Sequence, residues 1–147
     1  MSAPGTVCRP GPPGTAVSWT PSTDLDTLAG FFDRYGAAIT AGDVPGIANC
    51  FASPAMVVAD AYSFAFSSPA AVALSFVGAA PDYAQRRIVA SHARFHQIQQ
   101  VSMTLVAVEV EWEYLDADGR SVPGQRFHYL LRLGRNAVRI CTVTPLD

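Results

Sequence analysis

The sequence predicts an α+β domain in which three helices from the N-terminal half cover a curved, mainly antiparallel β-sheet. Three observations carry this expectation. Apolar residues first recur at helical spacing, then switch to a period of two near Met56, and after one more helical run keep that period to the end. The late apolar runs are separated by links short enough for hairpins. At 147 residues, 50% hydrophobic and only 15% charged against about 25% in an average soluble domain, the chain has apolar surface to hide in one core, a cavity or an interface.

The first 22 residues contain "APGTVCRPGPPGT", a Pro/Gly run that resists regular structure, and are read as a flexible tail before a single domain over 23–147. A first helix is expected from Thr23, which stands three residues before Asp26 in the manner of a capping box, with Leu25, Leu28, Phe32, Tyr35 and Ile39 on one stripe. Tyr35 therefore points inward. Gly42 suits a left-handed C-terminal cap, and Asp43 caps a second helix with Pro45 in its first turn, running to about Phe51. In "MVVADAYSFAF" strict alternation puts Met56, Val58, Asp60, Tyr62, Phe64 and Phe66 on one strand face. Ser68 and Pro69 open a third helix that Gly78 to Pro81 should end. The remainder reads as four strands, 86–98, 101–115, 124–133 and 137–144, with turns at Asp118-Gly119 and 134–136. In the second of these, Glu109, Glu111 and Glu113 alternate with Val108, Val110, Trp112 and Tyr114, so one face is wet and the other packed.

Several function classes are disfavoured. A net charge of -2 without a basic run gives no electrostatic footprint for nucleic acid or for an anionic membrane. No apolar stretch approaches the roughly 18 residues of a membrane span. The N-terminus has no basic region leading into an apolar one, and Cys8, Cys50 and Cys141 are odd in number and lack metal-ligand spacing, so reduced thiols and a cytoplasmic setting are expected. No phosphate loop, nucleophile elbow or calcium loop is present, and no cofactor or metal is expected.

The order of a helix hairpin, a short strand pair, a third helix and a long antiparallel meander resembles the nuclear transport factor two-like (SnoaL-like) cone fold. Within it, "RYGAAITAGDVPGIANCFASPAMVV" is similar to the ketosteroid isomerase stretch without gaps, with Tyr35, Gly42, Asp43, Ile47, Ala55 and Val57 at matching positions. "VEVEWEYLDADGR" and "YLLRL" look like the same family's fourth and fifth strands. The resemblance implies a cone-shaped mixed sheet around the helices and a homodimer through the open sheet face. It also implies that Tyr35 holds the place of the tyrosine that stabilises an enolate. The base aspartate of the isomerase maps onto Ala59, one position before Asp60, and its protonated acid maps onto Tyr129, a phenol that is neutral without any pKa shift. Asp60 reaches the pocket only if a bulge absorbs the extra residue.

Four residues are candidates for chemistry. Asp60 among bulky neighbours reads as a general base, or else as a paired or solvated carboxylate at the mouth of the cone. Tyr35 reads as an oxyanion donor or as a packed tyrosine, and Tyr129 as a second donor. His92 is an acid-base candidate because related scytalone-type dehydratases place histidines on central strands, yet it also fits a wet face beside Arg94. His92 and His96 are about 13 Å apart on a strand, too far to share one ion. His128 alternates out of phase with Phe127 and Tyr129 and lies outside the pocket. Phe32, Met56, Val58, Tyr62, Phe64 and Trp112 are expected to contact the substrate.

Two functions follow. One is a cofactor-free isomerase, cyclase or dehydratase acting on an apolar ring-containing molecule, with Asp60 or His92 moving the proton and Tyr35 and Tyr129 stabilising the enolate. The other is a non-catalytic ligand-binding or dimerisation module. A cavity of a few hundred cubic ångströms that contains both Asp60 and Tyr35 would separate them.

Overall fold

The structure is a computed structural model that describes residues 21–76, 87–135 and 137–146. Most of the expected tail therefore lies outside the described residues. The first helix, α1 (Pro21–Ala41), opens two residues earlier than expected, with Pro21 at a first-turn position where its missing N–H costs nothing. Its inward stripe is Leu28, Phe31, Phe32 and Tyr35, all at most 3% exposed, whereas Leu25 is 40% exposed and stands outside the core. Gly42, at φ 69°, ends the helix in the left-handed conformation. There the Asp43 N–H reaches back to the Ala38 carbonyl (2.8 Å) and the Gly42 N–H to that of Ile39 (3.1 Å), the paired closure that satisfies two otherwise orphaned carbonyls.

Asp43 caps α2 (Val44–Ala48) by accepting a hydrogen bond from the Gly46 N–H at 3.1 Å. This helix stops short of the expected Phe51, which instead opens β1 (Phe51–Val58). β1 pairs with β2 (Ser63–Phe66) as an antiparallel hairpin closed by Ala59 N–H donating to the Tyr62 carbonyl at 2.8 Å. The single alternating strand read through Met56 to Phe66 is thereby corrected. Val58 lies opposite Ser63, an even residue against an odd one, so the turn resets the phase. Val57 and Phe64 share one face, with Ala55 and Phe66, while Met56 and Val58 lie on the other.

Ser68 caps α3 (Pro69–Phe76), its Oγ accepting from the Ala71 N–H at 3.2 Å. The stop expected at Gly78 to Pro81 lies outside the described residues. Strands β3 (Ile88–Gln100), β4 (Leu105–Asp116), β5 (Ser121–Leu133) and β6 (Val138–Pro145) follow as an antiparallel meander. The order β2-β1-β6-β5-β4-β3 brings β1 alongside β6 in parallel, so the sheet is mixed and curves over α1. On β4, Val106, Val108, Val110, Trp112 and Tyr114 are buried beneath the helix, and Glu109, Glu111 and Glu113 face away, as the alternation predicts. Asp116 to Gly119 form the expected turn, with Gly119 at φ 80°.

One irregularity positions the core. Between Glu111 opposite Arg126 and Glu113 opposite Pro123, the β4–β5 register shifts, and Gly124 passes directly over the Trp112 backbone. A β-carbon on Gly124 would stand 2.4 Å from the Trp112 carbonyl oxygen. Glycine is what lets the two strands approach there.

Candidate functional site

The concave face of the sheet and α1 enclose a cavity of about 260 Å³. Its walls are aromatic: Tyr35 from α1, Phe51 from β1, Phe66 from β2, Trp112 from β4, and Phe127 and Tyr129 from β5. Gly36 lets the helix settle onto this floor, since a β-carbon there would stand 3.0 Å from Trp112 Cζ3 and 3.2 Å from the Ser91 carbonyl oxygen. Thr40 and Ser91 hydrogen-bond at 2.5 Å and tie the same helix to β3.

The residues lining the cavity that carry polar side-chain groups are Tyr35, Tyr114, Tyr129, Trp112, Ser91 and Gln125. No Asp, Glu, His or Arg side chain is among its described lining residues. The Trp112 indole N–H donates to the Tyr129 hydroxyl at 2.9 Å in a buried setting. That bond occupies an acceptor site of the phenol and does not use its proton. Burial pushes the Tyr129 phenol well above its ordinary pKa, with the Trp112 hydrogen bond acting more weakly in the opposite direction. The Tyr129 phenol is therefore held neutral, with its oxygen fixed by the Trp112 indole. Its ring stands edge-on to Tyr35 at 6.2 Å and tilted against Phe32 at 5.1 Å.

Of the residues expected in a pocket, the structure brings together Tyr35, Tyr129 and Trp112. Phe32 packs behind them, against Trp112 and Tyr129, and belongs to the core. Asp60 is exposed in the β1–β2 turn, past the end of β1, and no bulge carries it inward; the irregularity in β1 falls earlier, between Phe51 and Met56. Met56 and Val58 sit on the face of the hairpin opposite Val57, which does line the cavity. Tyr62 and Phe64 stack at 5.9 Å on the Val57 face but are 56% and 44% exposed and lie outside the lining. His92 is on the outer sheet face opposite Glu113, and His96 bonds to Glu111 there at 2.7 Å. His128, opposite Glu109, is likewise outside the cavity.

Sequence reasoning misses Ser91 and Gln125 and the lining roles of Phe51 and Phe66. Ser91 is within its reach: on β3 the inward set is Ser91, Ala93 and Phe95, the phase complementary to His92. Gln125 is too, because it keeps the phase of Phe127 and Tyr129 along β5, on their side of the register shift. Among the described residues no group of three or more His, Cys, Asp or Glu is arranged to hold a metal ion, and Cys50 and Cys141 are free thiols. No described helix is long and apolar enough to cross a membrane.

Comparison with known proteins agrees on architecture. A family model described as NTF2-like protein (DUF6841) matches residues 26–147. Aln2 from a Streptomyces species is similar in structure, with a TM-score of 0.64 at 14% identity, over 87% of this chain and 92% of that one. ActVI-ORFA from Streptomyces coelicolor gives 0.63 at 14% identity, over 86% and 96%. A domain of unknown function with a cystatin-like fold from Nostoc punctiforme gives 0.63 at 14% identity, over 86% and 78%. At these identities the likeness concerns the fold. No curated protein matches the chain in sequence.

Proposed function

The chain belongs to the NTF2-like (DUF6841) family, and from that premise we propose that it binds a small apolar ring-containing molecule bearing a carbonyl or hydroxyl oxygen. The supporting observation is the cavity itself: aromatic walls, no charged lining group, and a buried Tyr129 hydroxyl whose oxygen is fixed by the Trp112 indole and whose proton that bond does not use. Its volume of about 260 Å³ lies just below the roughly 300–1,000 Å³ of typical ligand sites, which suits one or two fused rings.

This reading favours the binding module over the acid-base enzyme. Phenols neutral at pH 7 stabilise a developing oxyanion but do not take a proton from carbon, and Asp60 and His92 stand outside the cavity. The position that the isomerase resemblance gives to the base is Ala59.

Titration with 1-indanone and with indane, followed through the Trp112 indole N–H resonance, tests the proposal. Both should bind, and Tyr129→Phe should weaken the ketone by about 2- to 12-fold, one hydrogen bond of roughly 0.5–1.5 kcal/mol, while changing the hydrocarbon little. Asp60→Asn should leave both affinities unchanged. Equal weakening of the two ligands by Tyr129→Phe would remove the donor role, and absence of binding would remove the pocket role.

The homodimer is proposed through the outer sheet face, where Glu109, Glu111 and Glu113 meet Arg94, His96 and Arg126. A contact made of such charges is screened by salt. Sedimentation should therefore show a dimer that dissociates as salt is raised and that Glu111→Arg abolishes; a monomer at low salt would exclude this assembly.

A further inference from the structure

The chain contains no lysine and ten arginines, and where those arginines sit divides them. Arg87 pairs with Asp118 at 3.4 Å, Arg126 pairs with Glu109, Arg94 stands opposite Glu111, and Arg120 adjoins Asp116. Arg34, Arg132 and Arg139 are all exposed and, like Arg94, Arg120 and Arg135, have no ion pair among the described residues; what sets the three apart is where they stand.

Their arrangement runs against ordinary sheet energetics. Arg132 on β5 lies directly opposite Arg139 on β6, a like-charged cross-strand pair, which is destabilising unless something negative lies between them. Arg139 also lines two adjoining open grooves, of about 830 and 390 Å³, which share it and Asn49. Arg34 from α1 lines the first groove and Arg132 the second, so guanidinium groups reach this junction from the helix hairpin and from the β5–β6 hairpin. Arg34 and Arg139 both act on the nearby Cys50 thiol, opposing the upward push that burial gives it. The described carboxylate in these grooves is Asp43, and its Oδ1 is already engaged by the Gly46 N–H at the cap of α2.

We propose that the Arg34, Arg132 and Arg139 junction is a binding site for the phosphate group of a diffusible small molecule, separate from the apolar cavity. A planar carboxylate is satisfied by one guanidinium fork. Arg139 on the wall common to both grooves, with Arg34 along one and Arg132 along the other, offers cations from different elements to a tetrahedral anion, which presents oxygens in several directions. The Asn49 amide adds a neutral donor beside them.

The test is calorimetric titration of the full chain with inorganic pyrophosphate and, separately, with malonate, at constant ionic strength. Pyrophosphate should bind saturably and more tightly than malonate. Arg139→Gln, at the shared wall, should weaken it at least about tenfold, and Arg34→Gln and Arg132→Gln severalfold each. Arg94→Gln removes the same charge from the outer sheet face and should leave the affinity unchanged. No saturation by about 10 mM, malonate binding as tight as pyrophosphate, or equal weakening by Arg94→Gln would each overturn the proposal. The three variants change exposed residues and should keep the wild-type thermal midpoint within a few degrees. If one of them does not, protection of the grooves from deuterium exchange by pyrophosphate in the wild-type chain supplies the same decision.

Discussion

Gly124→Ala is expected to destabilise the domain by about 3 kcal/mol or more, lowering the thermal midpoint by roughly 10 °C. The added methyl would stand 2.4 Å from the Trp112 carbonyl oxygen, 3.0 Å from the Trp112 carbonyl carbon and 2.7 Å from Tyr114 Cε2. A side chain at such a distance rotates away, but two of these atoms are the backbone of the paired strand. Relief therefore requires β4 and β5 to separate where their register shifts, and Trp112 and Tyr114 to leave the cavity wall. Gly119→Ala is the useful contrast. No atom lies within 4 Å of a methyl there, and only the positive φ of 80° is penalised, by about 1 kcal/mol. Chemical denaturation of the two variants checks the difference. A Gly124→Ala loss no larger than that of Gly119→Ala would mean that the strands are not held so closely.

Tyr129→Phe is expected to act twice, and the two effects separate by pH. At neutral pH it leaves the buried Trp112 indole N–H without its acceptor, a loss of about 1–3 kcal/mol. At high pH the sign reverses. The folded phenol is raised above its unfolded value near 10, so its contribution to stability is fully present below pH 10 and is lost as pH climbs toward the folded value. The wild type should lose up to about 1.4 kcal/mol per pH unit through this one group above pH 10, and the variant should lack that component. The expected result is a pair of stability curves separated at pH 7 that converge above pH 10. Parallel curves would show that the phenol ionises in the folded state as readily as in the unfolded one.

Both effects meet at Trp112, whose place is only half legible in the sequence. Alternation along "VEVEWEYL" assigns Trp112 and Tyr114 to the packed face, and the helix stripe assigns Tyr35 to the interior; all three are buried in the structure. What alternation does not carry is the phase across a turn. A period of two continued through Ala59 to Tyr62 groups Asp60 with Tyr62 and Phe64, but the chain reverses there and the phase is reset. His92 is misplaced for a different reason. A resemblance to histidine-bearing relatives outweighs the alternation of β3, which groups His92 with Arg94 and puts Ser91, Ala93 and Phe95 on the other face.

The class and order of the elements and the wet and dry faces of the meander are written into the linear sequence, because each depends on residues a few positions apart. Helical caps at Asp43 and Ser68 and the apolar periods are local signals of that kind. Which side chains share the cavity emerges only on folding, because it depends on registers between strands distant in sequence. The β1–β6 parallel pairing, the shift at Gly124 and the approach of Gly36 to Trp112 together set the lining. The same holds for Arg132 and Arg139, whose opposition across β5 and β6 exists only once the hairpin has closed in that register.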